Sequence, residues 1–133
     1  VKQYDGKRIE VTYDPARCLH AAECVRGLPA VFDTSKRPWI DPDAADAEMI
    51  ATVVRRCPTG ALHYKLRDGE PERPSVPTKV SLPKQGPLLI AGDLELDAGP
   101  ETRAALCRCG QSENQPFCDR SGSCHDWEYL SAC

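Results

Sequence analysis

The sequence has no block of Lys or Arg, no apolar run near the roughly 18 residues of a membrane-crossing helix, no heptad pattern, no low-complexity tract and no internal repeat. These absences argue against a helical membrane span, a coiled coil and the electrostatic footprint of a nucleic-acid or membrane-surface binder. Phosphate-binding loops, nucleophile–base pairs and the signature of a substrate cleft are also missing, so the chain is not expected to be an enzyme. It opens Val1-Lys2-Gln3-Tyr4-Asp5-Gly6 without an apolar h-region, and the expectation is a cytoplasmic location. Net charge is only −3. Residues 1–80 carry 13 basic and 12 acidic side chains, whereas residues 81–133 carry 4 basic and 8 acidic ones. The second part could therefore offer an acidic face to a basic partner, although ordinary solvated charge accounts for the same numbers.

What the chain does have is cysteine and proline, eight and twelve in 133 residues. That length suits one domain or two very small ones, and small domains bury too little apolar surface to do without staples. In a reducing compartment cysteines persist as thiolates that bind metal instead of closing disulfides.

The local patterns place these cysteines at the ends of regular elements. Arg8-Ile9-Glu10-Val11-Thr12-Tyr13 alternates and predicts a strand, followed by a turn at Asp14-Pro15 just before Cys18. Asp41-Pro42-Asp43 predicts a helix start, with the helix running from Ala44 to Arg56. Ile50, Val53, Val54 and Cys57 recur at helical spacing, so Cys57 falls on the buried stripe, and Pro58 and Gly60 stop the helix. Ala61-Leu62-His63-Tyr64-Lys65 then predicts a short strand paired with the first. Residues 68–87 hold five prolines and have linker composition. Beyond them, Leu88-Leu89-Ile90-Ala91 and Leu94-Glu95-Leu96 predict two strands around Gly92-Asp93, and Arg103-Ala104-Ala105-Leu106 a third that runs into Cys107.

Cys18 and Cys24, close together on a loop, and the distant Cys57-Pro58 have the pattern of a one-cluster bacterial ferredoxin, in which the Cys-Pro element closes the cage from the far side. The middle position of the usual run is Ala21, which cannot ligate iron. The site then holds a [3Fe-4S] cluster, or a [4Fe-4S] cluster with a non-cysteine fourth ligand. His20 is the candidate for that ligand, and a hydrogen bond to cluster sulfur or backbone is its alternative role. Cys18-Leu19-His20-Ala21-Ala22-Glu23-Cys24, with Arg55-Arg56-Cys57-Pro58-Thr59-Gly60, resembles the divergent mono-cluster ferredoxin family over residues 4–66. The resemblance implies a small α+β lobe with a single cuboidal cluster.

The second set is Cys107-Arg108-Cys109, then Cys118 nine residues later. On an extended backbone two cysteines separated by one residue face the same side and can grip one iron, and the polar turn 110–117 can return Cys118 to a second. Two metals with two ligands each suit [2Fe-2S]. The run Cys107-Arg108-Cys109-Gly110 through Asn114, Pro116-Phe117-Cys118-Asp119 strongly resembles the CDGSH iron–sulfur domain of mitoNEET-like proteins, across roughly residues 86–127. That resemblance implies ligation by three Cys and one His, but the place of the His, four residues after the third Cys, is Gly122. Cys124 is the preferred replacement and His125 the alternative. Tetrahedral zinc is the rival metal, disfavoured because zinc knuckles usually space their cysteines more widely. Asp119 is expected to cap a turn, and Trp127 and Tyr129 to pack in a core. Nothing assigns a role to Cys133.

The expected architecture is α+β: a ferredoxin-like lobe over 1–67, a Pro-rich linker over 68–85 and a β-rich CDGSH-type lobe over 86–133. The expected work is one-electron transfer between a reductase and a cytosolic oxidoreductase, with cluster donation, redox sensing or a zinc-stabilised interaction module as alternatives. Single-motif CDGSH domains commonly dimerise, so a homodimer is a further expectation from the resemblance.

Overall fold

A computed structural model describes residues 1–122 and Trp127. The chain forms two compact units that do not follow a single cut in the sequence. The first comprises Val1–Pro15, Ala22–Cys57 and Ala61–Glu72, and the second Ala16–Ala21, Pro58–Gly60 and the chain from Arg73 onward. Among the described residues the architecture is mostly β, two small antiparallel sheets with helices only in the first unit. No helix there is long and apolar enough to cross a membrane.

The first unit contains β1 (Lys2–Asp5), β2 (Ile9–Tyr13), α1 (Glu23–Gly27), α2 (Ala47–Val54) and β3 (Leu62–Leu66). Its sheet has the order β1-β2-β3, with Ile9 opposite Leu66 and Tyr13 opposite Leu62. Alternation turns Ile9, Val11, Leu62 and Tyr64 inward, where they meet Ile50, Ala51, Val53 and Val54 of α2 in one core with Leu28, Val31, Phe32 and Ile40. Burying each of the larger aliphatic or aromatic side chains contributes about 1.5–3 kcal/mol before entropy is counted.

The pairing of the two predicted strands is as expected, but three features differ. Strand β1 has no apolar alternation and only Tyr4 is half-buried, so backbone pairing at a sheet edge defines it. Helix α2 starts three residues later than predicted because Asp41 closes a turn, accepting the Asp43 N–H at 3.1 Å on its carboxylate and the Ala44 N–H at 3.2 Å on its carbonyl. Asp46 then becomes the N-cap residue. Cys24, expected on a loop, lies in the short helix α1.

The second unit is a sheet in the order β4-β5-β6, with β4 (Lys79–Ser81), β5 (Leu88–Leu96) and β6 (Gly99–Leu106). The two strands predicted around Gly92-Asp93 are one strand with a register irregularity between Ala91 and Leu94. A Gly-Asp pair reads equally as turn or bulge; here pairing resumes at Leu94 opposite Glu101, and the chain reverses only after Leu96, opposite Gly99. Strand β4 falls inside the proline-rich stretch read as a linker, where Val80 pairs with Ile90.

Candidate functional site

Strand β6 delivers the chain to Cys107, and the following loop is folded back against its end. The Cys107 N–H donates to the Pro116 carbonyl and the Cys118 N–H to the Ala105 carbonyl, both at 2.8 Å, with Leu106 bridging to Phe117. Inside the loop, the Ser112 hydroxyl donates to the Phe117 carbonyl at 2.6 Å and accepts the Asn114 N–H at 3.0 Å. This polar frame folds residues 110–117 back so that Cys118 lies beside the end of β6, next to which Cys107 stands.

The sulfurs of Cys107 and Cys109 stand 3.9 Å apart. Two thiolates on one tetrahedral metal, at bond lengths of about 2.3 Å, are separated by about 3.8 Å, so the pair fits a shared metal, iron or zinc. Arg108 between them is engaged elsewhere, donating to the carbonyls of Gly86 at 2.9 Å and Pro83 at 2.6 Å. The donors around the sulfurs suit anionic thiolates. Gln115 donates its side-chain amide to Cys107 Sγ at 3.3 Å, and the Arg120 N–H points to Cys118 Sγ at 3.4 Å. Burial, the largest single influence on Cys107, raises its pKa, but hydrogen bonds from the Ser112 backbone, the Gln115 side chain and the Gly110 backbone, with one from the Cys109 thiol, together lower it to about 7. Cys109 Sγ lies 3.6 Å from the Ser121 carbonyl. Cys118 is buried in an apolar cluster with Leu19 and Ala105, against which Leu89, Cys109 and Trp127 pack. Trp127 thus has the core position expected of it.

Asp119 caps the turn after Cys118. Its carboxylate accepts the Ser121 hydroxyl, the Glu113 N–H at 3.0 Å and the Ser121 N–H at 3.0 Å, which hold it below the usual carboxylate range. Gly122, at the place of the expected His, has φ +71, and a Cβ there would stand 1.7 Å from Gln111 Oε1. The backbone at that point is built for glycine. Cys124 and His125, the candidate replacements, lie outside the described residues, as do Tyr129 and Cys133.

The first cysteine set is divided between the units: Cys18 belongs to the second, Cys24 and Cys57 to the first. Cys24 sits in α1, and both it and Cys57 pack against the first core. All three are half-buried, and none of the six described cysteines is in a disulfide. His20 is exposed; it and Ala22 adopt left-handed conformations, φ 59 and 63, on either side of Ala21. Two such non-glycine residues cost about 1–2 kcal/mol each, the kind of backbone strain that collects in ligand-holding loops. Among the described residues no group of three or more Cys, His, Asp or Glu side chains is assembled for a metal ion. The Cys107–Cys109 pair itself stands at ligand spacing. The sequence reading missed Gln115 as a donor to sulfur and the role of Arg17 and Leu19, whose partners are remote in the chain.

Residues 4–67 match the family model described as divergent 4Fe-4S mono-cluster, and residues 85–122 match the model described as iron-binding zinc finger, CDGSH type. The class these matches define is that of small iron–sulfur proteins. Escherichia coli, in strains K12 and O157:H7, has a similar protein, the uncharacterized protein YjdI; each is 40% identical over 62 residues, covering 47% of this chain and 82% of the relative. The chain belongs to the divergent 4Fe-4S mono-cluster family and carries a CDGSH-type domain behind that module. No solved structure matches it.

Proposed function

We propose that this protein is a two-cluster electron carrier, taking single electrons from a reductase and passing them to an oxidoreductase in the cytoplasm, without enzymatic turnover of its own. The observation that carries this reading is the Cys107–Cys109 pair at 3.9 Å, ringed by N–H donors, in a chain with two iron–sulfur family matches. Bound clusters would supply one-electron redox chemistry at each site.

In this reading Cys18, Cys24 and Cys57 hold a [3Fe-4S] cluster, because Ala21 offers no ligand; recruitment of His20 would make it [4Fe-4S]. Cys107, Cys109 and Cys118, with Cys124 as fourth ligand or His125 in its stead, hold [2Fe-2S]. The donors from Gln115 and the Arg120 backbone stabilise negative charge on sulfur, and burial of Cys118 keeps water from its thiolate.

Metal and sulfide analysis of anaerobically purified protein, with electron paramagnetic resonance, tests the reading. The expected result is brown protein with about 5 iron and 6 sulfide per chain, or about 6 of each for [4Fe-4S]. A [3Fe-4S] cluster also gives a resonance signal before any reductant is added, and Ala21→Cys should remove that signal. Reversible reduction without loss of iron supports the carrier, whereas loss of cluster to an apo-acceptor supports a donor. Colourless protein with stoichiometric zinc would refute both.

A further inference from the structure

We propose that Arg17 and Leu19 seat Cys18 in the CDGSH-type lobe, so that the first thiol of one cluster site is positioned by the structure that carries the other. The inference rests on the two-cluster reading above and adds that the two sites are coupled.

The residues on both sides of Cys18 are buried, Arg17 at 8% exposure and Leu19 at 6%. All their partners named below belong to the second unit. Arg17 Nη1 pairs with the Glu101 carboxylate, while Nη2 donates to the carbonyls of Thr59 at 2.7 Å and Arg103 at 3.0 Å. The guanidinium also lies over the Phe117 ring, 4.0 Å from its centre. Each contact lies on a segment that leads into or out of a proposed ligand. Thr59 follows Cys57-Pro58, Phe117 immediately precedes Cys118, and Glu101 and Arg103 are on β6, which ends at Leu106 just before Cys107. Leu19 packs against Ala105 and Cys118 themselves. Asn114, in the loop between Cys109 and Cys118, donates to the Ala16 carbonyl at 3.4 Å.

The turn after Cys57-Pro58 is pressed onto the same group. Gly60 has φ +74, and a Cβ there would stand 2.2 Å from the Arg103 carbonyl and 2.4 Å from Arg17 Nη2. A planar guanidinium fork can serve the carboxylate and both carbonyls at once; a lysine ammonium keeps the charge and lacks the fork. Arg17 and Leu19 are thus positioning residues for Cys18. Loss of order around Cys107 and Cys118 removes the partners that hold them.

The test follows release of iron from the purified holoprotein to a ferrous chelator, reading each cluster by its own resonance signal and absorption. Removing the second cluster with Cys107→Ser should speed loss of the first by about tenfold, although Cys18, Cys24 and Cys57 are untouched. Arg17→Lys should speed loss of the first cluster similarly and change its resonance line shape, and adding Cys107→Ser to it should bring little further acceleration. If Arg17→Lys does not fold, judged by circular dichroism, the comparison of parent with Cys107→Ser decides alone. Parent-like decay of the first cluster in Cys107→Ser would overturn the inference while leaving the two-cluster reading intact. Protein that binds zinc and no cluster would overturn that reading, and the inference with it.

Discussion

Cys107 is half-buried and ringed by hydrogen-bond donors. Its pKa, lowered from 9.0 to about 7, is below that of an unfolded cysteine, so its ionisation favours the fold. The sign follows directly: this contribution is complete above about pH 9 and is lost as pH falls through about 7. In metal-free protein, alkylation at Cys107 should therefore rise with pH around a midpoint near 7, against a midpoint near 9 in denaturant. Gln115→Leu removes one of the donors and should move the folded midpoint upward. A midpoint near 9 in both states would show that the donors do not stabilise the thiolate. The same ionisation favours metal loading, since a thiol must lose its proton to ligate.

Elements were legible in the sequence where side chains alternate or recur with a period, and illegible where only backbone pairing or remote contacts define them. Strands β2 and β3 and helix α2 could be read because Ile9, Val11, Leu62, Tyr64, Ile50 and Val54 all turn to one core. Strands β1 and β4 are mostly exposed edge strands with no apolar face to announce them. The membership of segment 16–21 in the second unit could not be read at all, because the hydrogen bonds of Arg17 to Glu101 and Arg103 span 84 and 86 residues. Spacing alone brought the Cys107–Cys109 pair within reach of the reading, whereas no local pattern reveals Gln115 as a sulfur donor. The legible helix ends at Val54, three residues before Cys57, whose N–H donates to the Val54 carbonyl at 3.0 Å. Ile50, fully buried in α2, should cost about 2–5 kcal/mol as Ile50→Ala, lowering the urea midpoint for the first unit's unfolding. Exposed Thr52, whose hydroxyl donates to the Glu48 carbonyl and accepts from exposed Arg55 at 3.4 Å, should change stability by under about 0.5 kcal/mol as Thr52→Ala. Equal losses for the two would mean that α2 is not packed as described.

Across the whole molecule, charge is distributed so that residues 81–133 hold 8 acidic and 4 basic side chains against near balance before them. Part of the excess is internal, since Glu101 is committed to Arg17. Asp93, Glu95 and Asp97, by contrast, are exposed along β5 and the turn that follows it. An electron carrier with exposed carboxylates meets a cationic acceptor faster when salt is low, because the Debye length is about 30 Å at 0.01 M and about 8 Å at 0.15 M. For the protein reduced under anaerobic conditions, reoxidation by ferric cytochrome c should therefore slow several-fold across that range. Combining Asp93→Asn, Glu95→Gln and Asp97→Asn should slow the reaction at low salt and flatten its salt dependence, while cluster absorption stays unchanged because none of the three is a proposed ligand. A salt dependence as steep in the triple variant as in the parent would place the docking of cationic partners away from this hairpin.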